Sequence, residues 1–251
     1  MRLLAAIMSF AAASFAAPAV ACDYPGGPPD AREVRTGGDG VTWAYFSNAT
    51  EAYRHGVLGD AIEARALRAE TTSTGPCDSM VYLGEDSVFE DVTPRIADVT
   101  GDALNDVVVI ETRFDAGASL AVYGMDGERF GKLAATPYIG RPNRWLAPAG
   151  IADFDGDGVR DVAYVETPHI GGILRIWSFR GNEAREIASD PGYSNHRIGQ
   201  NFITGGVRDC GNGPELVLPS ADWSQTLIAR LVGGVIKSAV LAEDAEPETI
   251  A

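Results

Sequence analysis

The densest chemistry in the chain lies in nine residues, Asp153-Phe154-Asp155-Gly156-Asp157-Gly158-Val159-Arg160-Asp161. Counting from Asp153, carboxylates occupy positions 1, 3, 5 and 9, and glycines occupy 4 and 6. Alternate side chains converge on one point when a chain wraps tightly, and the glycines permit the backbone angles such a wrap needs. Carboxylates this close repel one another unless a cation or protons intervene. A hard divalent cation that takes about six to eight oxygens fits the donor set, which makes Ca2+ the expected ion. Asp153, Asp155, Asp157 and Asp161 are the candidate ligands, and Val159 offers its carbonyl. The competing reading is an Asp-Gly turn with no metal. The loop starts like a helix-flanked calcium loop but is not one. Position 12 is Tyr164 rather than glutamate, and no helical pattern flanks it.

The same spacing recurs upstream. Asp98, Thr100, Asp102 and Asp106 stand at positions 1, 3, 5 and 9 of an earlier copy, with the Leu104 carbonyl at 7 and Ala103 at 6. Thr100 is a neutral oxygen donor, so weaker calcium binding is expected there. In a third copy Val207, Asp209, Gly211 and Glu215 fill the same places, and two carboxylates predict a plain turn.

Asp98 and Asp153 lie 55 residues apart, as do Asp106 and Asp161, and a repeat of this length indicates a propeller or solenoid. Each loop is followed by an apolar run such as Asp161-Val162-Ala163-Tyr164-Val165. In the second copy, Ile173 to Phe179 alternates, with Trp177 and Phe179 on one face, and Ala184 to Ala188 supplies a fourth strand. Four short antiparallel strands make one blade. The stretches between strands are too short for a helical crossover. Val41 to Ser47 and Ser79 to Leu83 read as strands of an atypical first unit. Ala61 to Ala69 has helix-forming composition, but its partial alternation and its place in the repeat favour strand. The fold expected is all-β: a small β-propeller of about four four-stranded antiparallel blades. In such a ring the first strand can complete the last blade and close it.

If each aspartate loop joins strands 1 and 2 of a blade, antiparallel order sends the 2–3 turns and the inter-blade links to the opposite face. That face collects Arg141, Asn143, Arg144, Trp145, His169, His196 and Arg197, with Tyr53-Arg54-His55 joining from the first unit. Arginine forks and aromatic faces there suit a protein, a glycan or a small anionic ligand. The same residues could instead tie loops together, with Trp145 wedged between blades.

The chain of 251 residues has a formal net charge of −15, which speaks against a nucleic-acid surface. Arg2, the apolar Leu3 to Ala17 and the small residues Ala19 and Ala21 read as an export leader covering residues 1–21. No transmembrane helix is expected in the mature chain, which is placed in the periplasm or outside the cell. There are three cysteines, Cys22, Cys77 and Cys210. Either Cys22 is a lipid anchor and Cys77 pairs with Cys210, or Cys22 pairs with Cys77 and leaves Cys210 buried and free. Residues 22–38 read as a linker and 39–242 as the propeller, with repeats near 94–149, 150–204 and 205–242; 243–251 form an acidic tail. No nucleophile elbow, zinc-protease or phosphate-loop motif is present, and no catalytic residue is assigned.

The segment Ile151-Ala152-Asp153-Phe154-Asp155-Gly156-Asp157-Gly158-Val159-Arg160-Asp161-Val162 resembles FG-GAP/VCBS-type repeats, the propeller class also seen in integrin heads. Ile96 to Val108 is a second match. The resemblance implies a β-propeller, calcium in the aspartate loops, and usually export. It implies no single reaction. A binding or interaction module is the function expected first. A hydrolase or lyase acting on a polar or anionic substrate, and a structural envelope protein, are the alternatives.

Overall fold

The computed structural model describes residues 25–73, 79–246 and 250. The expected leader, Cys22 and Cys77 lie outside them. Among the described residues there are seventeen strands, and no helix is among the named elements. They are β1 (Val34–Arg35), β2 (Val41–Thr50), β3 (Glu63–Thr71), β4 (Met80–Tyr82), β5 (Ser87–Phe89), β6 (Arg95–Ala97), β7 (Asp106–Arg113), β8 (Gly117–Asp126) and β9 (Arg129–Ala135). There follow β10 (Leu146–Ala152), β11 (Asp161–Glu166), β12 (Ile173–Arg180), β13 (Glu183–Pro191), β14 (Gly206–Asp209), β15 (Pro214–Pro219), β16 (Thr226–Val232) and β17 (Val235–Ala242). Every pairing between named strands is antiparallel.

Two four-stranded meanders, β10 to β13 and β14 to β17, are regular blades. A third meander, β6 to β9, has the same order but is not a separate sheet. Its strand β7 is longer than β6, which pairs only with Asp106 to Val108. The uncovered remainder, Glu111 to Arg113, pairs with β5. Through β5 the N-terminal hairpin β2–β3 joins the same sheet, and the whole has nine strands. The sheets thus hold nine, four and four strands, where about four four-stranded blades with an atypical first unit were expected. Nor does β1 or β2 pair with β17 among the described residues, so no ring closure is seen. Ala61 to Ala69 does fall largely in a strand, since β3 spans Glu63–Thr71.

The strict alternation of side chains explains how the sheets stack. In β7, Val107 and Val109 join Phe46, Leu67 and Phe89 of the N-terminal strands in one core cluster. Val108 and Ile110, on the opposite face, pack with Val162, Tyr164, Trp177 and Phe179 of the next blade. In β11, Ala163 and Val165 face the other way, toward Leu216 and Leu218 of the last blade. Strands β7 and β11 are apolar on both faces because each serves two cores.

The aspartate loops leave this stack at one end, between β6 and β7, β10 and β11, and β14 and β15. The 2–3 turns and inter-blade links leave at the other. Residues past β17 are partly tied down: the Thr226 hydroxyl donates to the Asp244 carbonyl at 2.5 Å, and Ala245 is buried. Cys210 is exposed, because it stands in the short turn between Asp209 and Pro214; the expectation that it could be buried is corrected. Among the described residues no helix is long and apolar enough to cross a membrane.

Candidate metal loop and opposite cleft

In the loop between β10 and β11, Gly156 and Gly158 take φ of 79° and 91°, where a side chain would be strained. The turn they allow directs amides onto Asp153. Its Oδ1 accepts from Gly156 N at 2.8 Å and Asp157 N at 3.0 Å, and its Oδ2 accepts from Gly158 N at 2.9 Å. Asp153, Asp155 and Asp161 each place a carboxylate oxygen within 4.8 Å of the others. Asp161 opens β11 and is fully buried. Its Oδ2 accepts from Phe154 N at 3.0 Å, but its Oδ1 has no partner. Burial, and after it the neighbouring Asp155, push its carboxyl up to about 6. A buried carboxylate oxygen with no donor beside two more carboxylates is the donor set that a hard cation satisfies. The residues therefore fit calcium. Asp157 stands apart from this group: it forms an ion pair with Arg180 and accepts from Val159 N at 3.0 Å.

The first loop has nearly the same backbone. Gly101 and Ala103 take φ of 79° and 70°, matching Gly156 and Gly158. Asp98 accepts from Gly101 N at 2.8 Å and Ala103 N at 3.0 Å, and Asp102 accepts from Leu104 N at 2.9 Å. The buried carboxylate is satisfied differently. Asp106 Oδ2 accepts from Val99 N, from Thr100 N and, at 3.0 Å, from the Thr100 hydroxyl. Burial pushes its carboxyl up to about 6. Asp98, Asp102 and Asp106 do not form a three-carboxylate group like that of the second loop.

The third loop neutralises its carboxylate from within the sheet. Glu215 accepts from Arg208 Nε at 2.6 Å and Arg230 Nε at 2.5 Å. Those hydrogen bonds, Arg208 first, hold its carboxyl below the usual range.

At the opposite end a cleft of about 330 Å³ is lined by His55, Val57, Asn143, Arg144, Trp145, Thr167, His169, Ile170 and Ile198. The lining comes from the loop after β2, the link before β10, the turn after β11 and the link after β13. Gly172 must lack a side chain here, since a Cβ would meet the Tyr193 carbonyl at 1.6 Å. That close approach brings the 167–172 turn against the 193–200 link. Trp145 is buried beneath the cleft, and its indole donates to the Glu90 carbonyl at 2.9 Å. His169 stacks on it at 6.3 Å, and His196 meets its edge at 4.8 Å.

Of the residues expected on this face, Asn143, Arg144, Trp145 and His169 line the cleft, and His196 supports it from behind. Arg141 is exposed outside the lining. Arg197 is drawn away, lying 4.1 Å over the Trp223 ring and 3.7 Å from Glu246. Reading the sequence missed Glu90. It is fully buried behind His55, 2.5 Å from its Nδ1, and it accepts from the Thr112 hydroxyl at 2.7 Å. The available signal was the acid pair Glu90-Asp91 set between Val88-Phe89 and Val92.

Residues 98–164 match the FG-GAP-like repeat family. The matched stretch holds the first two aspartate loops and strands β7 to β10 between them. Among curated proteins none matches the chain.

Proposed function

We propose that this protein is an exported, calcium-stabilised all-β repeat module that binds a ligand or protein partner at the end opposite its metal loop. One observation carries the calcium reading: the partnerless, buried Asp161 Oδ1 beside Asp153 and Asp155. FG-GAP repeats often bind calcium and typically serve as ligand- or protein-binding modules, which supports both halves of the proposal. The leader-like residues 1–21 support export. Asp153, Asp155 and Asp161 would hold the ion, and calcium there would remove the repulsion that otherwise opposes the loop's shape. The cleft lined by Arg144 and His169 is the binding surface in this reading, since loops on a rigid scaffold commonly carry recognition.

The test is a metal count on protein purified without chelator, followed by thermal melting in calcium and in chelator. About one calcium per chain and a higher melting point in calcium are expected. A melting point indifferent to both calcium and chelator overturns the reading.

A further inference from the structure

The protein has three histidines, and all three meet at the cleft. Their hydrogen bonds fix which nitrogens carry protons. His196 Nε2 lies 2.8 Å from the Gln200 carbonyl, which can only accept, so this nitrogen must donate. A neutral His196 then has a bare Nδ1. That Nδ1 lies 2.8 Å from His169 Nε2, so His169 must donate from Nε2. Its own Nδ1 is left as a lone pair. Burial, and then His196 and His55, bring His169 down to about 4, and burial lowers His196, so both are neutral near pH 7. His55 stands on another wall of the cleft. Its Nδ1 faces Glu90, whose second oxygen already accepts from Thr112.

The lining therefore presents the His169 imidazole acceptor together with the donors of Arg144 and the amide of Asn143. Arg144 uses Nη1 to donate to the Asn143 carbonyl at 2.8 Å, which leaves further N–H groups for a ligand. A small anion brings only acceptors, and it would face the His169 lone pair with the buried carboxyls Glu90 and Glu63 nearby. A transition metal would not find three free ligands, because both ring nitrogens of His196 are hydrogen-bonded and Glu90 is taken up by His55 and Thr112. Among the described residues the group that gathers three such ligands is the aspartate loop. A hydroxyl group suits the lining, because it donates to an imidazole while accepting from a guanidinium. Val57, Ile170 and Ile198 add apolar surface for a C–H face.

We infer that the cleft binds an uncharged polyhydroxyl ligand, a terminal sugar of a glycan, through His169 Nδ1 and Arg144. This rests on the reading of the module as a binding protein and selects the ligand class for that cleft. The experiment uses calcium-loaded protein at pH 7. Long-range 15N–1H NMR of the imidazoles reads the tautomers, and calorimetry measures a panel of neutral methyl glycosides against acetate and inorganic phosphate. His169 is expected to show an unprotonated Nδ1 that shifts when a glycoside binds. At least one glycoside is expected to bind with millimolar affinity or better, and acetate and phosphate more weakly. His169→Phe should keep the stack on Trp145 and the calcium-dependent melting shift but weaken glycoside binding at least tenfold. The inference is overturned by a protonated Nδ1, by tighter binding of acetate or phosphate, or by no glycoside binding at tens of millimolar. A melting point that ignores calcium would instead overturn the metal reading, and the tautomer measurement would still stand.

Discussion

Asp161 and Glu215 occupy the same place in neighbouring blades, and each buries a carboxylate, yet the two are neutralised in opposite ways. In the last blade Glu215 lies opposite Arg208 on β14 and next to Arg230 on β16, and both guanidiniums reach it. In the preceding blade the register puts Ala152 opposite Asp161 on β10, and Ser178 falls on the β12 side. Neither side chain carries charge. In the first meander the corresponding neighbours of Asp106 are Ala97 and Gly124, and a Cβ at Gly124 would lie 2.4 Å from Asp106 Oδ1. A buried charge needs a partner. Where the sheet supplies two arginines, the loop above needs no acid and keeps only Asp209. Where the sheet supplies none, the loop crowds with aspartate. The loss of acids from the third loop thus goes with a gain of cations beneath it, and is more than decay of a repeat.

The sharpest way to break this comparison is Asp161→Asn. In the parent, calcium at a hundredfold above its dissociation constant should add about 2.7 kcal/mol. In a chain of this size that is roughly 5–10 °C in melting point. The variant should lose nearly all of that calcium-dependent gain. In chelator it should melt no lower than the parent, because it no longer buries a repelled charge. Equal calcium shifts in parent and variant would show that Asp161 is not a ligand. Glu215→Gln should do the reverse. It strands two arginines, so it should lower the melting point by a smaller amount, equally in calcium and in chelator. A calcium-dependent loss there would erase the distinction between the two blades.

Acidification should separate them again, by a smaller amount. Asp161 and Asp106 are held near 6 in the fold against an ordinary value of 3.8. A carboxyl whose folded value is raised favours the folded state when protonated. In chelator, stability contributed by these two groups should therefore rise as pH falls from about 7 toward about 4. Glu215 is held below its ordinary 4.5, so its contribution is lost as pH falls through its lowered value. Calcium should flatten or invert the first trend, because protons compete with the metal for Asp161. Melting points from about pH 2.5 to about pH 8, with and without calcium, in the parent and in Glu215→Gln would expose both signs.

Much of this was legible in the sequence. The 55-residue spacing and the runs after Asp106 and Asp161 located strands β7 and β11, and the alternation at Trp177 and Phe179 marked their shared face. What sequence could not supply was pairing across long separations. The fusion of the N-terminal hairpin through β5 depends on β7 outrunning β6, which no local pattern encodes. The arginines at Glu215 were present in the sequence, but only the strand register puts Arg208 and Arg230 on either side of it. The cleft was half legible. His169 and His196 fell on the expected face, whereas the tautomer chain through Gln200 and the burial of Glu90 needed tertiary contacts.

The smallest expected effect compares the first two loops. Ala103 and Gly158 hold the same loop position with φ of 70° and 91°. An L-residue in this region costs about 1–2 kcal/mol, because its Cβ crowds the following carbonyl. Glycine avoids that cost but loses about 0.5–1 kcal/mol through greater freedom in the unfolded chain. Ala103→Gly should therefore stabilise by roughly 0.5–1 kcal/mol in urea melts, and Gly158→Ala should destabilise by about as much. The two loops differ in how they satisfy their buried carboxylate, so only the second change should also weaken calcium binding. If Ala103→Gly raised calcium affinity instead, backbone strain rather than the Thr100 hydroxyl would be what sets the first loop apart.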